Sequence, residues 1–158
     1  TTVEVLIPDL QGDERALGTV FAAKPDVLNH NLETVARLYP EVRPQADYRR
    51  SLNVLAAAAQ AGLMAKSGIM VGVGETEDEV VALMHELVDS GCSVLTIGQY
   101  LQPTPDHLPV DRFWHPDEFA ELKRFGEAAG LRHVESGPLV RSSYHAAEQV
   151  EMLTQRKE

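Results

Sequence analysis

Three predicted helices in this chain each end at a glycine and lead directly into a short apolar strand. The units are helix 50–61, Gly62 and strand 67–71; helix 76–90, Gly91 and strand 93–97; and helix 116–129, Gly130 and strand 132–135. Glycine just past a helix adopts the left-handed conformation that ends it. Helices alternating with nearly continuous apolar strands predict an α/β fold, in which helices cover a parallel sheet.

The second of these helices has the best-defined start. Thr76 and Glu79 have the spacing of a capping box, in which each side chain satisfies a free backbone N–H of the other residue. The third helix begins with Pro116, which has no amide hydrogen to lose at that position. One apolar face at helical spacing follows the capping box: Val80, Leu83, Met84, Leu87 and Val88.

Segments 3–7 and 27–28 also read as strands, and 14–23, 32–38 and 144–155 as helices. Four or five strands are too few for a closed eight-stranded barrel. The pattern alone leaves open a barrel, part of a barrel or an open doubly wound sheet. In each of these folds, function collects on the loops after the carboxyl ends of the strands.

Composition narrows the classes of function. The 158 residues carry a net charge of −10, which disfavours binding along a nucleic-acid backbone. No apolar run reaches the roughly 18–20 residues of a membrane span, so we expect no membrane partner either. Cys92 is the single cysteine, which rules out a disulfide within the chain and a cysteine-only metal site. Its position after a helix end favours a small buried residue.

Three loops contain residues suited to chemistry. The loop after strand 67–71 contains Gly72 and Gly74 and opens a capped helix, an arrangement typical both of an ordinary turn and of an anion site. Loop 99–109 combines prolines with polar groups, and the final segment 136–146 contains Ser142 and Ser143. Composition alone favours a helix-capping role for these two serines.

Six segments of the chain carry a more specific signal: 4–9, 29–34, 48–52, 66–72, 99–109 and 136–146. The most specific part is Arg141-Ser142-Ser143-Tyr144 in the last of them. Taken in order, from about residue 3 to residue 146, these segments resemble the lipoyl synthase family of radical S-adenosylmethionine (SAM) enzymes.

The resemblance implies a fold and a chemistry. Residues 1–135 would be the C-terminal part of a partial (β/α)₆ barrel, and residues 136–158 a C-terminal extension. Enzymes of this family use SAM and two 4Fe–4S clusters to insert sulfur at carbons 6 and 8 of an octanoyl chain on a carrier protein. One cluster cleaves SAM, and the auxiliary cluster supplies sulfur and has a serine of the Arg-Ser-Ser-Tyr motif as a ligand.

The resemblance also implies partners. These are octanoylated lipoyl carrier domains, such as the glycine cleavage H protein and the E2 component of 2-oxoacid dehydrogenases, and an electron donor such as ferredoxin or flavodoxin. The location would be the cytoplasm, or mitochondria in a eukaryote. Six cluster cysteines are expected in an N-terminal half that would precede Thr1, so we expect these 158 residues alone to be inactive.

Roles for individual residues follow from the same resemblance. Asn29 and Asn31 are expected to contact SAM, and Lys66 or Arg49 to bind its carboxylate. In the motif Gly68-x-Met70-x-Gly72-x-x-Glu75, the apolar residue is expected to pack against adenine. The adenosine region is expected to meet Gln99, Tyr100 and Leu101.

The C-terminal motif is expected to complete the site. Either Ser142 or Ser143 would ligate iron of the auxiliary cluster, and Arg141 would orient this tail or close the site over the substrate.

Two alternatives remain at this stage. The chain could be a non-catalytic subunit that completes a barrel with a cysteine-bearing partner, docking through strand 3–7. It could instead be an unrelated parallel α/β enzyme that binds phosphate at the Gly72 loop.

Overall fold

A computed structural model describes residues 2–143, which form five β-strands, five α-helices and two short 3₁₀ turns. The strands are β1 Glu4–Leu6, β2 Val27–Asn29, β3 Met64–Val71, β4 Val94–Gln99 and β5 His133–Ser136. The helices are α1 Glu14–Ala22, α2 Tyr39–Val42, α3 Tyr48–Gln60, α4 Glu77–Asp89 and α5 Pro116–Ala129, and the 3₁₀ turns are Leu10–Gly12 and Ala36–Leu38. The helix predicted over 144–155 lies outside the described residues.

The strands form one parallel sheet in the order β1-β2-β3-β4-β5. Because crossovers between parallel strands are right-handed, this unreversed order places the helices on one side of the sheet. A doubly wound sheet would reverse its strand order. The prediction of a partial barrel is therefore confirmed, and within residues 2–143 the sheet does not close on itself.

The main core lies between the sheet and the helices. Leu55 of α3, Met84 of α4 and Phe119 of α5 are each at most 1% exposed there. Cys92 belongs to the same core, and burial raises the pKa of its thiol to about 12. A thiol held protonated in this way is a packing residue, as the sequence indicated.

The helix starts follow the sequence signals. The reciprocal capping box of Thr76 and Glu79 is present at α4, and Pro116 occupies the first turn of α5. A second capping box at α5, formed by His115 and Glu118, was not predicted. A histidine at the capping position is outside the usual Ser, Thr, Asp and Asn preference.

The helix predicted over 32–38 is wrong. Glu33 instead forms a bridge beside β3: its N–H donates to Gly68 O at 3.0 Å, and Met70 N–H donates to Glu33 O at 2.9 Å. Glu33 has a φ of 70°, which no helix accepts, so only the 3₁₀ turn Ala36–Leu38 is helical in this stretch. Pairing with β3 overrides the local apolar spacing.

Candidate active site

We call the side of the sheet that faces away from the helices the inner face. Side chains alternate along a strand, and Ala65 and Ile69 of β3 belong to the helix-side core. Lys66, Gly68 and Met70 therefore project to the inner face. The alternation of side chains along β3 therefore places Lys66, Met70 and the motif glycine Gly68 on the same surface.

A buried ionic network occupies the inner face near its amino end. Lys66 is 1% exposed, and its Nζ lies 3.1 Å from Glu4 Oε1. Asn29, which is paired with Lys66 in register, donates to the same carboxylate at 3.0 Å. The ammonium group of Lys66 therefore already has Glu4 as its counter-ion. The Asn29 Oδ1 atom is buried, and residues 2–143 offer it no hydrogen-bond donor.

A cavity of about 210 Å³ opens at the carboxyl ends of β2, β3 and β4; we call it the inner-face cavity. Gly68 forms part of its floor, where an added Cβ would lie 2.8 Å from both Asn31 Oδ1 and Thr96 Oγ1. The close approach of these two side-chain oxygens to the strand therefore requires a glycine. The lining residues are Asn31, Glu33, Gly68, Ile69, Met70, Thr96, Gly98, Val140, Arg141 and Ser142.

The C-terminal segment folds back over β4 and forms one wall of this cavity. Gly137 N–H donates to Ile97 O at 3.1 Å, and Gln99 N–H donates to Pro138 O at 3.3 Å. A Cβ on Gly98 would overlap the Val140 carbonyl oxygen, so this close approach requires glycine.

The two serines of the tail are placed differently. Ser142 is half-buried and lines the inner-face cavity, whereas Ser143 is exposed and lies outside the lining. Arg141 also lines the cavity, and its Nη1 donates to Val140 O at 2.7 Å. The sequence motif thus reaches the cavity through Arg141 and Ser142.

Two polar residues of the cavity, Asn31 and Glu33, are buried without full compensation by hydrogen bonds or opposite charge. Asn31 Oδ1 is buried without a hydrogen-bond donor in the described part of the chain. Burial raises the pKa of the Glu33 carboxyl, while a hydrogen bond from Asn31 and the charge of Arg43 act in the opposite direction. A buried acceptor without a donor is destabilising unless a ligand or water fills the position.

The Gly72 loop is organised differently, around the buried carboxylate of Glu75. Glu75 accepts from Gly72 N–H at 2.5 Å, Val73 N–H at 3.0 Å and the Trp114 indole N–H at 3.0 Å. An added Cβ on Gly72 would overlap the side chain of Gln99. These groups fasten the loop to the body of the protein.

The same arrangement argues against the phosphate-binding alternative. The amides of Gly72 and Val73 that would hold a phosphate already donate to Glu75, and Thr76 N–H donates to Glu79 at 2.9 Å. An anion would have to displace a carboxylate to bind here.

Gln99 and Tyr100 are also engaged by the protein. Gln99 Nε2 donates to Tyr100 O and Arg112 O, both at 3.0 Å, and its Oε1 accepts from Trp114 N–H at 3.0 Å. The Tyr100 hydroxyl donates to Leu108 O at 2.8 Å. We call Gly72, Glu75, Gln99 and Trp114 the Glu75 cluster.

Arg49 and Leu101 are not brought into the inner-face cavity. The Arg49 side chain is 75% exposed and pairs with Glu86 at 3.3 Å, and Leu101 is 49% exposed. The SAM contacts predicted for these two residues stay predictions, as do those predicted for Lys66, Gly72, Glu75, Gln99 and Tyr100.

Sequence reasoning missed five lining residues of the cavity: Glu33, Ile69, Thr96, Gly98 and Val140. An isolated glycine within a strand is a signal for close backbone approach, and could have drawn attention to Gly98. Glu33 carries no such signal, since its position depends on the bridge to β3.

The structure contains no complete metal site in the part of the chain that it describes. No group of three or more His, Cys, Asp or Glu side chains is arranged there to hold a metal ion. Likewise, no helix within 2–143 is long and apolar enough to cross a membrane.

The unreversed parallel sheet and the cavity at its carboxyl edge define the class of protein. That architecture is typical of barrel enzymes, whose active sites lie at this end. A family model described as the radical SAM superfamily matches residues 1–87, which is more than half of the chain. The chain belongs to the radical SAM superfamily.

The individual proteins to which the chain is most similar in sequence, of which three follow, are lipoyl synthases. The chain is 58% identical over 151 residues to the lipoyl synthase of Rubrobacter xylanophilus, covering 94% of this chain and 47% of that protein. It is 54% identical over 158 residues to the enzyme of Pelodictyon phaeoclathratiforme, covering 99% and 52%. The match to the Caldanaerobacter subterraneus enzyme is 54% over 147 residues, covering 92% and 52%. The chain spans about half the length of the curated relatives it matches.

Membership of this superfamily implies SAM and a 4Fe–4S cluster, and the described residues fit the two unequally. The inner-face cavity and its buried Asn31 acceptor suit a polar nucleotide ligand. The cluster does not fit, because Fe–S clusters need several thiolates and residues 2–143 supply only the buried Cys92.

Proposed function

We propose that this chain forms the C-terminal half of a lipoyl synthase active site, which inserts sulfur at carbons 6 and 8 of a protein-bound octanoyl chain. The observation that carries the proposal is the position of the tail: Ser142 lines the same cavity as Asn31 and Met70. High identity to lipoyl synthases along 92–99% of the chain supports the same conclusion.

In this proposal the chain binds and orients ligands. SAM and the clusters supply radical hydrogen abstraction and sulfur when bound. Asn29 and Asn31 present acceptors to SAM, and Met70 packs against adenine. Arg141 holds the tail across the cavity, where it covers the reacting chain.

Ser142 is the serine that we propose as a ligand of the auxiliary cluster, because it faces the cavity and Ser143 does not. Iron–sulfur clusters prefer soft thiolate ligands, so a single hard oxygen ligand is displaced more easily. Such a ligand suits a cluster that must release sulfur. The cysteine ligands of both clusters would come from outside these 158 residues.

The partners follow from the same proposal. The octanoylated substrate would be a lipoyl carrier domain, such as the glycine cleavage H protein or a 2-oxoacid dehydrogenase E2 component. Ferredoxin or flavodoxin would supply electrons.

The test uses the full polypeptide that the gene encodes, reconstituted anaerobically with iron and sulfide. Supplied with SAM, a reductant and an octanoylated peptide, it should add two sulfur atoms to the peptide, as measured by mass spectrometry. Ser142→Ala should abolish this product, and Ser143→Ala should retain it. Ser142→Cys should keep its iron but form no product. Full turnover by Ser142→Ala would contradict the assignment.

A non-catalytic subunit is the second candidate. The edge of β1 is unpaired within residues 2–143, and Val3 and Leu6 are 51% and 59% exposed beside it. Under this reading, the gene's own polypeptide binds no iron until a cysteine-bearing partner is added. Iron analysis before and after addition distinguishes the two candidates.

A further inference from the structure

A second cavity, of about 300 Å³, opens at the carboxyl ends of β1 and β2; we call it the neighbouring cavity. Asn31 and Glu33 line both this cavity and the inner-face cavity. Because the two cavities share these wall residues, a ligand in one of them lies beside a ligand in the other.

One wall of the neighbouring cavity is apolar. It is formed by Leu6, Ile7 and Pro8, where β1 ends. Val5 packs against the helix-side core, so the alternation of side chains along β1 turns Leu6 to the inner face. Leu6 is 59% exposed there. An aliphatic group that covered this side chain would be stabilised by the removal of apolar surface from water.

The two ionisable groups of opposite charge in this cavity, Glu33 and Arg43, act on each other. Burial raises the pKa of the Glu33 carboxyl, while a hydrogen bond from Asn31 and the charge of Arg43 lower it. Arg43 Nη1 also donates to Asn31 O at 3.2 Å and to the Tyr39 hydroxyl oxygen at 3.1 Å. A neutral ligand can therefore occupy the cavity without adding a charge beside this pair.

His30 gives the neighbouring cavity a polar group that lacks a partner. It lines the cavity and is 1% exposed, and its Nδ1 lies 2.9 Å from Ile7 O, a carbonyl that can only accept. Nδ1 therefore carries the proton. Burial lowers the pKa of His30, which keeps the ring neutral and leaves Nε2 as an acceptor. Residues 2–143 offer Nε2 no donor, so the N–H of a ligand would complete its hydrogen bonding.

We propose that His30 Nε2 accepts a hydrogen bond from the amide N–H that joins the octanoyl chain to the carrier lysine, while Leu6 packs against the chain. The identity of this ligand rests on the proposed function, in which the substrate is an acylated lysine. Such a side chain is neutral and largely aliphatic, and its amide carries one N–H donor. The ammonium of SAM suits this position less well, because Arg43 places a positive charge in the same cavity.

The first arm of the test compares two octanoylated carrier peptides, measured by fluorescence anisotropy with the reconstituted full polypeptide without a reductant. One peptide has the natural amide, and in the other an ester oxygen replaces the lysine nitrogen and removes the N–H. The wild type should bind the amide at least about fivefold more tightly, because the ester leaves a buried acceptor unpaired. His30→Asn keeps an N–H for Ile7 O but lacks Nε2, so its two affinities should agree within about twofold.

His85→Asn is the matched control, since it replaces an exposed histidine of α4 and should keep the wild-type preference for the amide. An equal preference in the wild type and in His30→Asn would overturn the proposal. Circular dichroism reports whether His30→Asn is folded. If it is not, the wild type decides: a preference for the amide sustains the proposal, and equal affinity for amide and ester overturns it.

The second arm tests the apolar wall. Leu6→Ala should weaken binding of the octanoylated peptide by about 3- to 10-fold, because the chain loses part of its apolar contact. A peptide with an acetylated lysine keeps the amide but lacks the chain, so its affinity should change by less than about twofold. Val3→Ala, which shortens an exposed apolar side chain outside this cavity, should leave both affinities unchanged. Equal weakening of both peptides by Leu6→Ala would contradict the packing of Leu6 against the chain.

The third arm separates this site from SAM binding and from turnover. Equilibrium dialysis should give SAM affinities within about threefold for the wild type and His30→Asn. If His30→Asn weakens SAM by more than about tenfold and leaves the preference for the amide intact, Nε2 serves SAM and the proposal is wrong. A wild-type protein that shows the His30-dependent preference but forms no sulfur-containing product would contradict the proposed function alone.

Discussion

Two polar regions at the same edge of the sheet differ in how completely their hydrogen bonds are satisfied. In the Glu75 cluster, one carboxylate accepts from three donors, and Gln99 makes three further bonds. In the inner-face cavity, Asn31 Oδ1 is a buried acceptor for which residues 2–143 offer no donor. The same holds for His30 Nε2 in the neighbouring cavity, which Asn31 and Glu33 also line.

Under the proposed function, this difference separates the residues that hold the loop from the residues that bind the ligand. Buried polar groups that are fully paired within the protein stabilise one loop conformation. A buried acceptor that lacks a protein donor gains one when a ligand binds. These unpaired acceptors therefore favour ligands that carry a hydrogen-bond donor at the matching position. The motif that begins at Gly68 contributes to both regions, with Gly68 and Met70 in the cavity and Gly72 and Glu75 in the cluster.

The largest effect is expected from Glu75→Ala. This change leaves the amides of Gly72 and Val73 and the Trp114 indole without their acceptor. The free energy of unfolding should fall by about 3–5 kcal/mol, as for other breaks in a buried network. Urea unfolding measures the loss, with Glu77→Ala on the exposed side of α4 as a control. A loss below about 1 kcal/mol would contradict a scaffold role.

Gly98→Ala should have the next largest effect, because its Cβ would overlap the Val140 carbonyl oxygen. Overpacking of this kind costs about 1–3 kcal/mol, and the tail should relieve it by lifting from β4. Cleavage by trypsin after Arg141 should then become faster. Gly126→Ala is the matched control, since its Cβ would meet Val134 and Leu131 instead of the tail. Equal cleavage rates in both variants would show that Gly98 does not position the tail.

Asn31→Ala should barely change stability, although Asn31 is half-buried. Its Oδ1 makes no hydrogen bond within residues 2–143, so we expect the free energy of unfolding to change by less than about 1 kcal/mol. SAM affinity should fall by about tenfold or more, because the ligand loses a buried acceptor. A large loss of stability with unchanged SAM affinity would place Asn31 with the scaffold.

The smallest effect is expected from the pH response of Glu33. Burial raises its folded-state pKa above the ordinary value of 4.5. The folded protein therefore holds the Glu33 proton more tightly than the unfolded chain, and this contribution to stability is full below pH 4.5. It is lost as the pH rises through the folded-state pKa. Glu33→Gln should remove this decline, which unfolding curves at several pH values measure. Identical pH profiles for both proteins would contradict it.

Much of the fold follows from local signals. Glycines closing α3, α4 and α5, the Thr76–Glu79 capping box and Pro116 each act within a few residues, so sequence alone locates these helices. β3 begins three residues earlier than expected, at Met64, because Lys66 is polar but pairs with Glu4 on the inner face. Glu33 leaves the predicted helix for the same reason: its partners lie in a distant strand.

The site was predicted less completely, because the roles of its residues depend on distant contacts. Glu75 and Gln99 look like ligand-binding loop residues until Trp114 is placed against both of them. Arg49 and Arg43 are six residues apart, and only the fold shows that Arg49 pairs with Glu86 while Arg43 lines a cavity. The resemblance identified the segments that carry candidate site residues. The hydrogen bonds show which of those side chains are already paired within residues 2–143.

Hydrogen exchange of the reconstituted full polypeptide, with and without SAM, tests the central claim most directly. The account predicts that SAM slows exchange at 29–33, 67–71 and 96–99, where the inner-face cavity lies. Amides at 72–76 should be slow already, since Glu75 and Glu79 hold them before any ligand binds. SAM-dependent protection confined to 72–76, with none at 29–33, would contradict the account.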